Sequence, residues 1–493
     1  MRTKASNRQT VVAVGRGAFQ ALCVTMLAIA SPVMAQDTVD TRIGTLEFTH
    51  DWKNGYPTDE TIAKLYDEMD FQRATQAYIW AIPLVSATRW LQLDREDHGQ
   101  KLGDIIIRET FDERLGMLTI NNDTFYSAFD LRLNESGPTV IEIPQGISAR
   151  GSALDMWQRP IADLAKPGKF LFVPPGTTTP KDTEGFTVLN SPTNGVIVAL
   201  RLFADTNEEK SQLTKKVLVY PYSQRDNPPK ATRLIHPTTS PNSRPPRGMG
   251  YWQLLADAIN IEPVEERDRF MMAMLKRLGI EKGKPFKPDA RQKKILTEAA
   301  LVGEAMAKAN WADRQMESAF YRKDSNWEVA TTTVPDQRAE HYDELDGRAA
   351  WFYEAVLNNV AMHSYKPGNT QVYLGGYRDS DGDFLDGGNN YVLNVPANPP
   401  AETFWSVTVY DVSHRTMIST DLKKPTVGSV QGFNKNADGS IAVYFGPDAP
   451  KGKETNWIKT IPGQGWFSYF RLYSPTKPFF DGSWVLPDFE KAK

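Results

Sequence analysis

The sequence predicts a mainly β, α+β chain in which two antiparallel β-rich regions flank a layer of helices. Three observations predict it. Over residues 436–473 turn signals and aromatic strands follow one another without a gap: Asp438-Gly439 turns, Ile441, Val443 and Phe445 alternate, Gly446-Pro447 breaks, and Trp466 to Tyr473 starts again. A second set of short runs punctuated by Gly and Pro lies upstream, over about 84–220. Between them, from Tyr251 to His363, the apolar period changes to that of helices.

The elements read in chain order as follows. Arg2, Lys4, Arg8 and Arg16 precede an apolar run from Ala18 to Ala30, and Val33-Met34-Ala35 supplies small residues for cleavage. Residues 1–35 are thus expected to be a secretory signal, its apolar run too short to span a bilayer as a stable helix. The sole cysteine, Cys23, lies within it and follows Leu22 rather than the small residue of a lipid-attachment site. The mature chain would then hold no disulfide, no thiolate nucleophile and no cysteine ligand. The leader takes four basic residues and no acid from a chain of net charge −3, leaving −7. That charge argues against nucleic acid or an anionic membrane as the main partner. The expectation is a secreted or periplasmic protein without later membrane insertion.

Residues 36–83 read as a lead-in with helices. One helix starts near Pro57-Thr58, with Asp59 and Glu60 favourably placed at its positive end, and a second runs from Phe71 to Ala81 and stops before Pro83. The first β domain is expected over 84–220. Phe129, Leu131 and Leu133 alternate, followed by strands around Ile141 and Ile143, at 169–173 and at 196–203. Seven prolines between Pro221 and Pro246 mark 221–248 as a linker or arm, long enough to wrap a neighbouring subunit. In the helical region 249–364, Pro263 opens a helix that Gly279 ends, Asp289 opens another, and a third passes through Ala350, Phe352, Val356 and Val360. The second β domain is expected over 365–493.

Candidate sites rest on residue chemistry. Asn122, Asp123, Thr124 and Tyr126 form the densest polar block entering a strand. It suits a substrate hydroxyl or ammonium, or, in a structural role, the backbone donors of a strand corner. Asp155 beside Trp157 suits a sugar face. Asp379, Asp381 and Asp383 alternate as in a calcium loop, but the twelfth position is Asn390 rather than Glu, which favours a polar hairpin. The six histidines lack metal-ligand spacing, and His363 with His414 is the pair most open to convergence. There is no G-x-S-x-G elbow and no phosphate loop. No cofactor is expected.

These blocks carry a resemblance. Asn122 to Ser127 and Tyr78-Ile79-Trp80 with Pro83-Leu84 in the first half are similar to motifs of a bacterial family. So are Phe404 to Asp411, Asn434 to Gly439, Tyr444 to Pro447, Asn456-Trp457, Gly465 to Phe467 and Arg471 to Tyr473 in the second. The family combines domains of unknown function twelve-fifty-four and twelve-fourteen. The resemblance implies two jelly-roll-like β-sandwich domains with helices between them, and a homo-oligomer, but no assigned reaction. The expected function is binding of a small organic or carbohydrate ligand through Tyr78, Trp80, Asn122, Asp123, Tyr126, Asp155 and Trp157. The alternatives are a metal-independent hydrolase or lyase using Asp123 as acid or base with Tyr126, and a structural envelope oligomer.

Overall fold

The computed structural model describes residues 37–238 and 241–492; the expected leader lies outside them. Helix and strand are nearly balanced, at 28% and 27%. The sequence reading, mainly β, undercounts helix. The largest correction is one helix, Asp59–Glu96, which runs straight through Pro83. Proline removes one ladder bond, but residues from Ala77 to Leu93 are almost all buried, and that packing outweighs the local break. Residues 84–96 therefore belong to this helix rather than to the first β domain. The helix is also tied from outside: Gln158 Nε2 donates to the Pro83 carbonyl at 2.8 Å.

The chain divides into two compact units, one ending at Glu68 and one beginning at Met69. The described part of the first contains a hairpin, β1 (Asp37–Thr41) and β2 (Gly44–Phe48), where a loose lead-in was expected. The second holds everything that follows.

Ten strands build the first β region: β3 (Ile105–Arg108), β4 (Tyr126–Arg132), β5 (Thr139–Ile143), β6 (Ala149–Asp155), β7 (Pro160–Asp163), β8 (Gly168–Val173), β9 (Thr187–Asn190), β10 (Gly195–Leu202), β11 (Leu218–Pro221) and β12 (Leu234–Ile235). Nine build the second: β13 (Trp327–Val329), β14 (Gln371–Gly376), β15 (Tyr391–Val395), β16 (Ala401–Asp411), β17 (Thr426–Gly428), β18 (Ile441–Gly446), β19 (Trp457–Lys459), β20 (Trp466–Pro475) and β21 (Glu490–Lys491). The sheets are β12-β3-β4-β10-β6-β7 with β11-β5-β8-β9, and β13-β14-β20-β16-β17 with β19-β18-β15-β21.

The two regions share one topology. Counting eight strands from β4 and eight from β14, the larger sheet runs 1-7-3-4 and the smaller 8-2-5-6 in both, and β3 and β13 both flank strand 1. Most pairs are antiparallel, but strands 5 and 6 pair in parallel in each half. That pair departs from the all-antiparallel pattern of a jelly roll. In each half one core cluster draws on both sheets: Phe129, Leu131, Val198 and Leu200 with Ile141 and Phe172, and Val407, Phe470 and Leu472 with Leu393 and Val443. Each such side chain contributes about 1.5–3 kcal/mol by leaving water.

The opposite faces of the larger sheets are not solvated. Ala128, Ile197, Tyr373 and Tyr469 join a third core with helical residues Trp80, Tyr251, Trp252, Leu296 and Phe352. The helices Met249–Ile261, Ala290–Ala312 and Asp346–Glu354 supply it. Asp289 caps Ala290–Ala312 as its sequence predicts: its carboxylate accepts from Gln292 N at 2.7 Å, and Gln292 Oε1 accepts from Asp289 N at 3.0 Å. Helix Arg269–Arg277 ends before Gly279, whose φ of +84° favours glycine. Within 221–248, Leu234 and Ile235 pair in parallel with Ile105 and Ile106, so the arm adds a strand to the first sandwich.

Candidate ligand-binding cavity

Covered outer faces leave a cavity of about 420 Å³. Its walls come from both larger sheets, from residues 117–121, from the segment 356–362 and from Trp90. Strand alternation decides what faces it. In β10, Val198 and Leu200 point into the first sandwich, so Ala199 and Arg201 point out. In β20, Phe470 and Leu472 point into the second, so Tyr469 and Arg471 point out.

Register places the charges. Arg201 pairs with Arg150 across β10 and β6. Its guanidinium lies 5.1 Å from the centre of the Tyr126 ring and 5.7 Å from that of Tyr473. Arg471 pairs with Tyr373 across β20 and β14, with its guanidinium 5.4 Å from that ring and 5.0 Å from Tyr469. These are cation–π distances. Arg471 Nη2 donates to the Thr119 carbonyl at 2.8 Å, while its Nε and Nη1 have no hydrogen-bond partner. Among the described residues, no carboxylate pairs with Arg150, Arg201 or Arg471. Burial and then the Arg201 charge lower the Arg150 pKa. Arg108 also lines the cavity but is neutralised by Asp94 at 2.5 Å. Asp163 lines one edge and accepts from Ala165 N at 3.0 Å. The lining also holds apolar side chains, among them Trp90, Met117, Ile161, Trp351, Val356 and Met362.

Of the residues singled out by sequence, Tyr126 lines this cavity. Tyr78 does not: it stacks on Tyr251 at 3.9 Å in the helical core, and helix Ala290–Ala312 approaches it so closely that a Cβ on Gly303 would lie 2.6 Å from the ring. Burial raises its pKa, so its hydroxyl stays protonated. Trp80 and Trp157 pack against each other at 4.8 Å, with Trp80 Nε1 donating to Asp268 at 3.3 Å. Asp155 shapes a turn, accepting from Trp157 N and Arg159 N at 2.9 Å and pairing with Arg159 at 2.6 Å. Asn122 accepts from Arg114 Nη1 at 2.8 Å. Asp123 ties the two sandwiches together, accepting from Ser406 Oγ at 2.7 Å and Gln431 Nε2 at 2.9 Å.

The acidic trio is occupied by an ammonium group. Lys491 Nζ lies 3.3, 3.1 and 2.7 Å from Asp379, Asp381 and Asp383. It is the one grouping of three metal-capable side chains among the described residues. His363 and His414 each have their own partner: Asn358 Oδ1 at 2.6 Å, and Asp411 Oδ1 at 3.1 Å. Burial lowers the His363 pKa to about 4.

Arg201 and Arg471 escaped the sequence reading. The missed signal is a lone cation inside an apolar strand with no acid two positions away, as in Val196–Leu202 and Phe467–Tyr473.

The fold and cavity define an α+β protein of two like sandwiches joined by helices. The first half, residues 106–221, matches the family described as protein of unknown function DUF1254, and residues 370–477 match protein of unknown function DUF1214. The chain thus carries both matches, the first N-terminal and the second C-terminal. Its fold is similar to the crystal structure of the VPA0106 protein from Vibrio parahaemolyticus, with a TM-score of 0.53 and 18% identity over 86% of this chain and 100% of that one. An uncharacterized protein from Burkholderia cenocepacia aligns at a TM-score of 0.38 and 11% identity, covering 88% of this chain and 97% of that one. No curated protein matches. None of these comparisons indicates an activity. Among the described residues, no helix is long and apolar enough to cross a membrane.

Proposed function

We propose that this protein, exported by its leader, binds a small organic anion in the cavity between two jelly-roll-like sandwiches. The observation that carries the proposal is the pairing of Arg150 with Arg201. Like charges directly opposite across an antiparallel pair repel, and neither arginine has a carboxylate to offset it. An acidic ligand headgroup would neutralise both and could accept two parallel N–H bonds from a guanidinium. The apolar side chains of the lining then take the organic body, in a volume ordinary for small-molecule sites. Asp123 is engaged by Ser406 and Gln431, which favours binding over the acid–base reading.

Calorimetric titration with benzoate and hexanoate at low salt tests this. The expected result is saturable binding that weakens with salt, falls tenfold or more in Arg201→Gln, and survives in Asp123→Asn. Absence of binding by either acid, or an Arg201→Gln variant indistinguishable from the parent, would overturn the proposal.

A further inference from the structure

We infer that the ligand carries two anionic groups, an apolar-bodied dicarboxylate, one end held by Arg150 and Arg201 and the other by Arg471. The inference rests on the anion-binding reading above and deepens it. It starts from the shared topology. Across strands 1-7-3 of the first sandwich one row of the outer face reads Tyr126, Arg201, Arg150; across the same strands of the second it reads Tyr373, Arg471, Ser406. Each half thus places an arginine on strand 7 with a tyrosine ring beside it on strand 1, at 5.1 and 5.4 Å. The two arginines approach one cavity from opposite sandwiches.

Charge and hydrogen bonding then set the ligand class. A single carboxylate between Arg150 and Arg201 leaves Arg471 uncompensated. Arg471 is 2% exposed, and its Nε and Nη1 lack partners, although a buried guanidinium ordinarily has its donors met. Arg150 and Arg201 come from one sandwich and Arg471 from the other, and among the described residues none of the three has a carboxylate. A ligand with two acids can meet both sets, whereas a single-headed acid meets one.

The test is titration of the full mature chain with α,ω-dicarboxylates of four to eight carbons and with monocarboxylates of equal carbon count. One dicarboxylate is expected to bind at least tenfold tighter than its monocarboxylate partner. Arg471→Gln should abolish that advantage, and Arg201→Gln should weaken both series. Equal affinity of the two series in the parent protein would overturn the inference yet leave the anion site standing; that comparison needs no variant to fold. An Arg471→Gln variant that keeps the dicarboxylate advantage would also overturn it. Failure of both series to bind would remove the anion site itself.

Discussion

The two sandwiches have the same strand order and the same arginine position, yet their surroundings differ. In the first, strand 3 places Arg150 opposite the arginine; in the second it places Ser406, which donates to Asp123. The first half thus holds an electrostatic conflict and the second a hydrogen-bonded tie. The anchoring to the helices differs as well. The first sandwich is fixed by Arg159, which bridges Asp155 and Glu265 with its side chain 13% exposed. The second is fixed by Arg314 and Glu354, both at 0%, with Trp311 Nε1 and Tyr377 Oη donating to Glu354. One topology therefore carries an arginine without a carboxylate in each half, facing a like charge in the first and a hydroxyl in the second. Position in a fold does not decide function; the neighbouring side chain does.

The largest effect separating the two halves should come from the anchors. Glu354→Gln leaves the fully buried Arg314 with Glu328 alone, at 3.5 Å, and should cost about 3–5 kcal/mol in chemical denaturation. Asp155→Asn, beside a partly exposed Arg159 that keeps Glu265, should cost less. Equal losses would mean that the difference in burial carries no energetic weight. Next, Asp123→Asn should lower stability by about 1 kcal/mol through weakened bonds to Ser406 and Gln431, with ligand affinity unchanged. A loss of binding there would move the site away from the arginines.

A smaller and opposite change sharpens the comparison most. Arg150→Gln removes a like-charge pair and should stabilise the ligand-free protein by about 0.5 kcal/mol, less at high salt, while weakening anion binding. Stability lost together with affinity would show that no conflict exists. The pH dependence gives the smallest signal. The His363 imidazole stays neutral in the fold down to about pH 4, whereas the unfolded residue takes up a proton below about 6.5. Between those values the unfolded state binds more protons, so stability falls as pH falls from 6.5 toward 4. His363→Asn should flatten that slope in a denaturation series; an unchanged slope would assign it to other groups.

Much of the fold was legible in the sequence because its strands alternate or are bounded by turns. Ile441, Val443 and Phe445 lie in β18, and Asp289 caps its helix. Pro83 misled because a local breaker was weighed without the burial of the helix around it. Strand β20 is buried along its whole length, so no solvent-facing period marks which side holds the site. The aromatics Trp80 and Trp157 were expected to contact a ligand and proved to be core. Tyr126 was found through its polar block, but the arginines it accompanies were not. Their meaning depends on which strands become neighbours, and cross-strand pairing is a property of the assembled sheet rather than of local spacing.

Anomalous diffraction from crystals soaked in 4-bromobenzoate tests the central claim most directly, that the cavity beside Arg150 and Arg201 takes an acid. The account predicts a bromine peak inside the cavity, with carboxylate density against the two guanidinium groups. Full soaking with the cavity free of bromine, or a peak there with the carboxylate turned away from both arginines, would contradict it.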